Sequence, residues 1–358
     1  MNVEGSGSED RWPQFRGIGS LGTSEDPNLP ESWSTTDNVA WVSDVPGLGW
    51  SSPIVWDDTV VVTSVVSSQG VESPEAGLYG GGERPAPTDE HQWVVFAFEV
   101  DTGSVRWSRV VHEGVPGSAR HLKNTFASET PATDGKHIYA YFGNVCLFCL
   151  DMEGNVLWTR QFAATETRFG WGTASSPVLY EGRIYLVVDN DEQSYVLALS
   201  AETGAEIWRV GRDEGTNWST PFVWKNVLRT ELITTGSDKV RSYDLDGDLL
   251  WELTGMSSIT VPTPFAAFGL LYLGSGYVGD QNRPVVVVKP GAEGDISIVD
   301  GGTPSDFIAW HDPQLAPYNP SPLVYGEHYY TLLDRGFFRS NDARTGRQIY
   351  GRQRLQVG

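Results

Sequence analysis

Short apolar stretches alternate with turn residues along most of the chain. The pattern is clearest between residues 176 and 210, where the stretches SPVLY, RIYLVV, SYVLAL and AEIWRV follow one another. Each stretch is bounded by Gly, Asp, Glu or Thr, and these residue types favour turns or strand ends. The pattern therefore predicts four consecutive short β-strands joined by tight connections.

The same pattern recurs as a unit with two landmarks. Ser-Pro or Thr-Pro opens each unit, with prolines at 53, 131, 177, 221, 264 and 322. Near the end of most units stands Gly followed four positions later by an aromatic residue: Gly103/Trp107, Gly154/Trp158, Gly204/Trp208, Gly247/Trp251 and Gly346/Tyr350. Four strands per unit at this period are typical of a β-propeller blade. The sequence thus predicts an all-β protein, a propeller of four-stranded blades.

Two units are longer than the others, and we predict that insertions account for both. Ser67–Gln92 is rich in Gly, Pro, Glu and Ser, and Gly291–Ser305 is rich in Gly and Asp. Such stretches are typical of surface loops between strands. A second domain is not needed to explain the spacing.

The repeated tryptophans have a structural interpretation. Gly supplies the positive φ of a tight turn before the outer strand of a blade, and a large aromatic in that strand can pack flat against the next blade. A residue that recurs at one position of a repeat usually serves stacking between repeats. We predict this role for Trp107, Trp158, Trp208 and Trp251.

These motifs resemble a known family. Ala97–Trp107 and Ala198–Trp208 are similar to the A-x-D-x-x-T-G-x-x-x-W tryptophan-docking repeat of quinoprotein-type (PQQ-like) propellers, with Glu99 and Ser200 in place of the family's Asp. The stretches RWPQFRG (residues 11–17) and GWSSP (residues 49–53) look like the N-terminal region of bacterial PQQ-like propeller proteins. The resemblance covers residues 40–352.

The resemblance implies one propeller domain over residues 38–358, preceded by an N-terminal extension over residues 1–37. Blades are expected to begin near residues 52, 130, 176, 220, 263 and 321. The stretch 38–42, NVAWV, is expected to form the outer strand of the last blade and to close the ring. Six units are visible where this family usually has eight. We therefore expect a truncated propeller.

Charge and composition exclude several function classes. The chain has 25 Lys+Arg against 46 Asp+Glu, a formal charge of −21. This balance argues against a nucleic-acid binder and against docking on anionic lipid. No apolar run is long enough for membrane insertion, and residues 1–10 show no signal peptide. We expect a monomer, in the periplasm or secreted as the resemblance implies, with the cytoplasm as the alternative.

The family also contains PQQ-dependent oxidoreductases, and this raises an enzymatic alternative with PQQ and calcium. In the alcohol-oxidising branch the quinone stacks near a vicinal cysteine pair, but here Cys146 and Cys149 lie three positions apart in one strand and should face opposite sides. The acidic stretch Asp244–Asp248 is interpreted as a polar turn, since Gly255 stands where a calcium loop starting at Asp244 needs a bidentate acid. Asp189–Glu192 is interpreted as a solvated turn, with a bound cation as the alternative. No cofactor and no metal site are expected.

The connections between blades carry the candidate binding residues. In propellers these connections lie on one face around the central channel, and here they combine aromatic, basic and amide side chains that suit a carbonyl, sugar or anionic group. The candidates are Trp50, Arg120, His121, Lys123, Asn124, Arg168, Trp171, Asn217, Trp218 and Tyr318. The competing interpretation is that Trp50, Trp171 and Trp218 fill the channel and that the basic residues pair with local acids.

The function favoured by the sequence is a non-catalytic binding or scaffold module. The resemblance offers an analogy with the outer-membrane-assembly lipoprotein of Gram-negative bacteria, a PQQ-like propeller that binds a partner through its loops. On this interpretation the loop face binds a protein partner or a small polar ligand. The alternatives are a quinone-dependent dehydrogenase and a sugar- or polymer-binding propeller.

Overall fold

The computed structural model describes residues 11–70, 85–298 and 304–355, and their regular secondary structure is almost entirely β-strand. The helical turns within these ranges are three short 3₁₀ segments, Ile18–Ser20, Arg168–Gly170 and Asp334–Gly336. None of the helices in the described ranges has the length and apolar character that a membrane crossing requires. Contacts between Cα atoms divide the chain into two compact units. Unit 1 runs to Ile18 and resumes over Gly22–Thr173, and unit 2 comprises Gly19–Leu21 and the residues from Ala174 onward.

Unit 1 contains two antiparallel sheets. Sheet 1 has the order β1-β2-β3-β4-β5, with β1 Arg11–Trp12, β2 Ile54–Trp56, β3 Thr59–Ser67, β4 His91–Glu99 and β5 Val105–Gly114. Sheet 2 has the order β6-β7-β8-β9, with β6 Ala132–Thr133, β7 His137–Phe142, β8 Cys146–Asp151 and β9 Val156–Gln161. In both sheets neighbouring strands are consecutive in sequence, so each sheet is a simple meander.

Unit 2 contains the other four sheets. Sheet 3 consists of β10 Val178–Tyr180, β11 Arg183–Val188, β12 Ser194–Ser200 and β13 Glu206–Arg212. Sheet 4 consists of β14 Phe222–Lys225, β15 Thr230–Thr235, β16 Lys239–Tyr243 and β17 Leu249–Thr254, with β21 Gly294–Asp295 at its edge. Sheet 5 consists of β18 Phe265–Ala267, β19 Leu270–Gly274, β20 Val285–Val288 and β22 Ile308–Asp312. Sheet 6 consists of β23 Leu323–Tyr325, β24 His328–Leu333, β25 Phe337–Asp342 and β26 Gln348–Arg354.

The sheets confirm the predicted all-β propeller fold of four-stranded blades. In sheets 2 to 5 the second and third strands are buried almost throughout, and the fourth strand is partly exposed. This explains why the middle stretches read as continuous apolar runs, whereas the outer strands alternate apolar and polar residues. The buried residues of adjacent sheets within each unit form shared clusters, for example Val95 and Ala97 of sheet 1 with Phe142 and Phe148 of sheet 2.

A tryptophan from one sheet lies over a turn glycine of the next sheet at several places. The ring of Trp107 lies over Gly154, and its indole N–H donates to the carbonyl of Met152 at 2.9 Å. Trp208 lies over Gly247 and Trp310 over Gly346 in the same way. A Cβ atom built on Gly154 would come within 2.7 Å of the indole, and its φ is +83°, so only glycine fits there.

Two predicted details of this packing differ in the structure. Residues 38–42 form no strand, although Trp41 lies over Gly103 and donates its indole N–H to the carbonyl of Val100 at 2.6 Å. Trp251 does not follow the pattern of the other tryptophans. It is fully buried and donates its indole N–H to Glu231 of its own sheet at 2.8 Å, because the following inserted segment returns as β21, parallel to β17.

Each of the two predicted insertions connects two neighbouring strands of a sheet. The first joins β3 to β4, and its residues 71–84 lie outside the described part of the chain. The second joins β20 to β22 and contains β21, and its residues 299–303 also lie outside the described part.

Candidate functional site

The loop between β5 and β6 in unit 1 carries four of the predicted site residues. Asn124 is a structural centre of this loop, because its amide N–H groups donate to the carbonyls of Trp171 (2.8 Å) and Thr173 (3.1 Å). Its side-chain oxygen accepts the backbone N–H of Thr125 at 2.8 Å and the hydroxyl of Ser128. The amide of Asn124 therefore holds the β5–β6 loop against the β9–β10 connection.

Arg120, His121 and Lys123 surround this centre. The Arg120 guanidinium donates to the Asn124 carbonyl at 2.9 Å and lies over the ring of Phe126. The imidazole of His121 packs edge-on against Trp171, with 5.4 Å between ring centroids. Its Nδ1 accepts the backbone N–H of Lys123 at 3.1 Å, and the side chain of Lys123 is exposed. The structure thus brings these three residues and Trp171 together.

The 3₁₀ turn Arg168–Gly170, called here the Phe169 turn, presents an aromatic side chain to solvent. Phe169 has φ 54° and ψ 21°, a left-handed conformation that is rare for a bulky residue, and it is 44 % exposed. Its ring lies 5.3 Å from that of Trp171, and the Arg168 guanidinium lies over it. Thr167 fixes the turn by accepting the N–H of Gly170 at its carbonyl (2.8 Å) and the N–H of Gly172 at its hydroxyl (2.9 Å).

Trp50 lies beside the same loop. Its backbone N–H donates to the carbonyl of Ala127 at 3.0 Å, while its side chain is 52 % exposed. Seven of the ten predicted site residues are therefore on neighbouring loops of unit 1. We call them, together with Phe169, the unit 1 loop surface: Trp50, Arg120, His121, Lys123, Asn124, Arg168, Phe169 and Trp171.

The three remaining predicted residues are in unit 2, where two of them are buried. Asn217 donates to the carbonyl of Gly215 at 3.0 Å and accepts the backbone N–H of Thr260 at 2.8 Å. Trp218 is 8 % exposed. Tyr318 is half-buried and packs edge-on against Tyr277, with 5.2 Å between ring centroids. The side-chain amide of Asn217 is therefore engaged in hydrogen bonds within the loops of unit 2.

Sequence reasoning missed a buried charge network in unit 2. Asp189 follows β11 and was expected in a solvated turn, but its side chain is fully buried and receives two hydrogen bonds from Arg212, at 2.9 and 3.1 Å. Asp191 and Glu192 are exposed, so only the second half of that turn is solvated. Arg212 also donates to the hydroxyl of Thr234 in sheet 4. Burial raises the pKa of Asp189, and the Arg212 guanidinium opposes that shift.

Glu214 joins this network to a second arginine. Its side chain is fully buried and pairs with Arg241, which also pairs with Asp213. Burial raises the pKa of Glu214 to about 7, although both Arg212 and Arg241 act to lower it. The contacts tie the β13–β14 loop to sheet 4, so we assign the network a structural role.

A further buried carboxyl, Glu129, lies in unit 1 just before β6. Its Oε1 accepts the hydroxyl of Thr173 at 2.6 Å and the backbone N–H of Gly143 at 3.3 Å. Burial raises its pKa to about 7. The sequence repeat could have marked Glu129. In three other repeats the position two residues before the opening proline is a serine: Ser51, Ser175 and Ser219. No comparable signal marks Asp189 or Arg212.

The residues do not fit the quinone and calcium that the resemblance brings in as an alternative. Cys146 and Cys149 are both buried as free thiols in β8, where positions three apart face opposite sides of the sheet. Over residues 11–70, 85–298 and 304–355, no three His, Cys, Asp or Glu side chains are grouped so that they would hold a metal ion. Asp244 accepts the N–H groups of Asp246 and Asp248, each at 2.9 Å, which makes that acidic stretch a turn.

The family profile described as outer membrane protein assembly factor BamB matches residues 90–349. Among solved structures, BamB from Moraxella catarrhalis is similar at 14 % identity over 87 % of each chain, with a TM-score of 0.49. A europium-containing methanol dehydrogenase is similar at 10 % identity over 98 % of this chain and 86 % of that chain, with a TM-score of 0.53. The similarity to the methanol dehydrogenase shows the propeller fold alone.

A quinohemoprotein alcohol dehydrogenase from Pseudomonas putida HK5 is similar at 15 % identity, with a TM-score of 0.44. The match covers 64 % of this chain and 42 % of that chain, so this chain spans less than half of that enzyme. No curated protein matches the chain.

Proposed function

The chain belongs to the family of the outer membrane protein assembly factor BamB, and we propose that it is a non-catalytic propeller that binds a protein partner through the unit 1 loop surface. The family description, assembly of outer membrane proteins, supports a protein of the cell envelope as the partner to test first. It also supports a periplasmic location for this chain.

The Phe169 turn carries this proposal. A bulky residue in the left-handed region costs roughly 1–2 kcal/mol, and such strain is retained where the neighbouring structure enforces it. Phe169 gains little burial in return, since 44 % of its surface is exposed. A rigid aromatic side chain that protrudes from a fixed loop is the kind of residue that anchors protein interfaces.

A second exposed phenylalanine shows why this strain points to binding. Phe268 also has φ 54° and is 42 % exposed, but it occupies the two-residue turn between β18 and β19 together with Gly269. A two-residue hairpin turn of type I′ requires positive φ at both residues, and Gly269 has φ +73°, so strand geometry explains Phe268. Phe169 is outside any hairpin, and no strand pairing demands its conformation.

The charge around the Phe169 turn favours an acidic partner surface. Arg120, Lys123 and Arg168 lie on the unit 1 loop surface of a chain whose formal charge is −21. Basic side chains next to exposed aromatics provide both an apolar anchor and electrostatic steering towards carboxylates. Trp50, 52 % exposed, adds a second aromatic anchor on the adjacent loop.

Photo-crosslinking in the native host tests this proposal. A photoreactive phenylalanine analogue is placed at position 169, and in a control variant at position 268, which matches it in exposure and backbone conformation. We expect a discrete crosslinked protein from position 169 and none from position 268. Crosslinking from 268 alone, or from neither position, would contradict the proposal.

The oxidoreductase alternative is tested separately. Purified protein is titrated with PQQ and Ca²⁺ while the quinone absorbance and dye-linked alcohol oxidation are followed. The proposal predicts no turnover. Saturable binding of PQQ with turnover would replace it by a quinone-dependent dehydrogenase.

A further inference from the structure

Residues 24–40 of unit 1, called here the Trp33 segment, form an exposed stretch of chain between two fixed points. Every residue of the segment is exposed. Shortly before it, the N–H of Gly22 donates to a backbone carbonyl at 2.9 Å. Directly after it, Trp41 donates its indole N–H to the carbonyl of Val100 in unit 1 at 2.6 Å. The segment is therefore held near both ends and remains open to solvent.

A turn within the segment fixes the position of Trp33. The backbone N–H of Ser34 donates to the carbonyl of Asp37 at 3.1 Å, and the Ser34 hydroxyl accepts the N–H of Asp37 at 3.0 Å. The side-chain amide of Asn38 donates to the carbonyl of Ser32 at 2.7 Å, which closes the chain around Trp33. Trp33 itself is 71 % exposed, so an ordered turn presents a large aromatic surface to solvent. Rigid, exposed tryptophans are typical anchors of protein interfaces.

Elsewhere in the molecule, partly exposed aromatic rings are covered by arginines of the same chain. The guanidinium of Arg344 lies 3.9 Å from the ring centroid of Phe268, and that of Arg209 lies 4.1 Å from the ring centroid of Tyr195. No guanidinium of the described residues lies over the indole of Trp33. Indole is the side-chain ring that attracts cations most strongly, so Trp33 offers an open position for a cationic group.

The charge around Trp33 favours the same kind of group. Residues 17–50 contain no Lys or Arg, and their acidic residues are all exposed: Glu25, Asp26, Glu31, Asp37 and Asp44. None of these carboxylates has an ion-pair partner within residues 11–70, 85–298 and 304–355. An open indole among carboxylates attracts a cation both through the ring and through opposite charge.

We propose that the Trp33 segment binds an extended, arginine-rich segment of a second protein. One guanidinium stacks on the indole of Trp33, and further arginines pair with the carboxylates of Glu31 and Asp37. Arginine suits this surface better than lysine, because its planar guanidinium stacks on an aromatic face and binds a carboxylate through two parallel hydrogen bonds. This site goes beyond the proposed function, since it shares no residue with the unit 1 loop surface and selects a basic partner instead of an acidic one.

The test uses a fluorescein-labelled peptide of alternating glycine and arginine as the probe, with fluorescence anisotropy as the measure of binding. Matched peptides carry lysine or glutamate in place of arginine. We expect saturable binding of the arginine peptide, weaker binding of the lysine peptide and no binding of the glutamate peptide. The proposal fails if the arginine peptide does not bind saturably, or if either matched peptide binds as tightly.

A substitution of Trp33 separates the indole from the charge of the chain. Trp33→Ser leaves every carboxylate in place, and we expect roughly five- to thirtyfold weaker binding of the arginine peptide, the worth of a cation–π contact that becomes desolvated. Phe268→Asn is the control, because it removes another exposed aromatic residue and asparagine tolerates the positive φ of that turn. The control should bind the peptide like wild type. Wild-type affinity in Trp33→Ser would overturn the proposal.

A second pair of variants tests the carboxylates. Glu31→Gln combined with Asp37→Asn removes two charges beside the indole, and we expect about two- to tenfold weaker binding, as for two exposed ion pairs. Glu153→Gln combined with Glu202→Gln removes the same charge from two exposed residues elsewhere and should leave binding close to wild type. Equal losses in the two double variants would show that the peptide responds only to overall charge, and the assignment to the Trp33 segment would be wrong.

Discussion

Arg212 binds Asp189 through two parallel hydrogen bonds, at 2.9 and 3.1 Å, with both side chains completely shielded from solvent. A bidentate pair of this kind is strong because its geometry is fixed and water does not compete for it. Removing either partner leaves a buried charge without compensation, and that is the costly state.

Arg212→Met is therefore expected to reduce the free energy of unfolding by about 3–5 kcal/mol. Urea denaturation at pH 7 measures the loss. The double variant Asp189→Leu with Arg212→Met removes both charges and should recover a large part of the lost stability.

Arg209→Ala is the matched control, because Arg209 lies on the same strand and forms a more exposed pair with Glu206 at 2.8 Å. Exposed pairs contribute about 0–1 kcal/mol, so this variant should unfold close to wild type. Equal losses in the two arginine variants would contradict the role assigned to the buried pair.

Glu129 should make stability depend on pH in a defined direction. Burial raises its pKa to about 7 in the folded state, from an ordinary value of 4.5. The folded state therefore holds the proton more tightly than the unfolded chain, and the associated stability is fully present below pH 4.5 and is lost as pH rises through 7.

Glu129→Gln keeps an oxygen acceptor for Thr173 but removes this titration. We expect the difference in free energy of unfolding, variant minus wild type, to increase between pH 5 and pH 8, with a slope of up to roughly 1.4 kcal/mol per pH unit below pH 7. Denaturant curves at several pH values measure this difference. A difference that stays constant across the range would show that Glu129 does not titrate there.

The indole that covers Gly154 provides a third prediction. Gly154→Ala introduces both a strained backbone and a collision, because φ is +83° and the new Cβ would lie 2.7 Å from the ring of Trp107. Gly182→Ala has the strain alone, since φ is +73° and no atom lies within 4 Å of its Cβ position.

We expect Gly182→Ala to cost about 1–2 kcal/mol and Gly154→Ala about 1–3 kcal/mol more. Thermal unfolding of the two variants gives the comparison. Similar melting temperatures would mean that the indole moves aside without loss.

The two cysteines should be unreactive in the folded protein. Burial raises the pKa of Cys146 to about 11 and that of Cys149 to about 12. Alkylation requires the thiolate, so iodoacetamide at pH 8 should label the native thiols at least about 100-fold more slowly than the urea-unfolded chain. Mass spectrometry follows the labelling, and fast modification of native Cys149 would contradict its burial.

The sequence was sufficient for the blades because each blade is a local structure. Four strands that follow one another in the chain also follow one another in the sheet, so apolar periodicity and turn residues predict them directly. The predicted stretches at 183–188 and 194–199 coincide with β11 and β12 to within one residue. Where an inserted segment returns to a distant strand, as β21 does beside β17, local pattern carries no information about the pairing.

The candidate site was less accessible to sequence reasoning. Residue type marked Asn124 and Asn217 as polar candidates, but their amides are used to join loops that are more than 40 residues apart in the chain. Phe169 was not selected, since neither its positive φ nor its exposure leaves a mark in the sequence. Glu129 differs from its counterparts in other units, and a position-by-position comparison of the repeat would have found it.

Trp107, Trp208 and Trp310 each lie over a turn glycine of the following blade, and this placement bears on how such a chain grows. Each of these pairs is divided between two blades: one blade supplies the ring, and the next supplies the bare backbone that receives it. A duplication that copies a whole blade therefore adds one tryptophan ring and one glycine that can receive a ring. Both new junctions between blades are then complementary from the start. Substitutions within one blade are constrained by the blade before it and by the blade after it. Blade number can then change by whole repeats, while a change at one residue of such a pair has to be matched at the other.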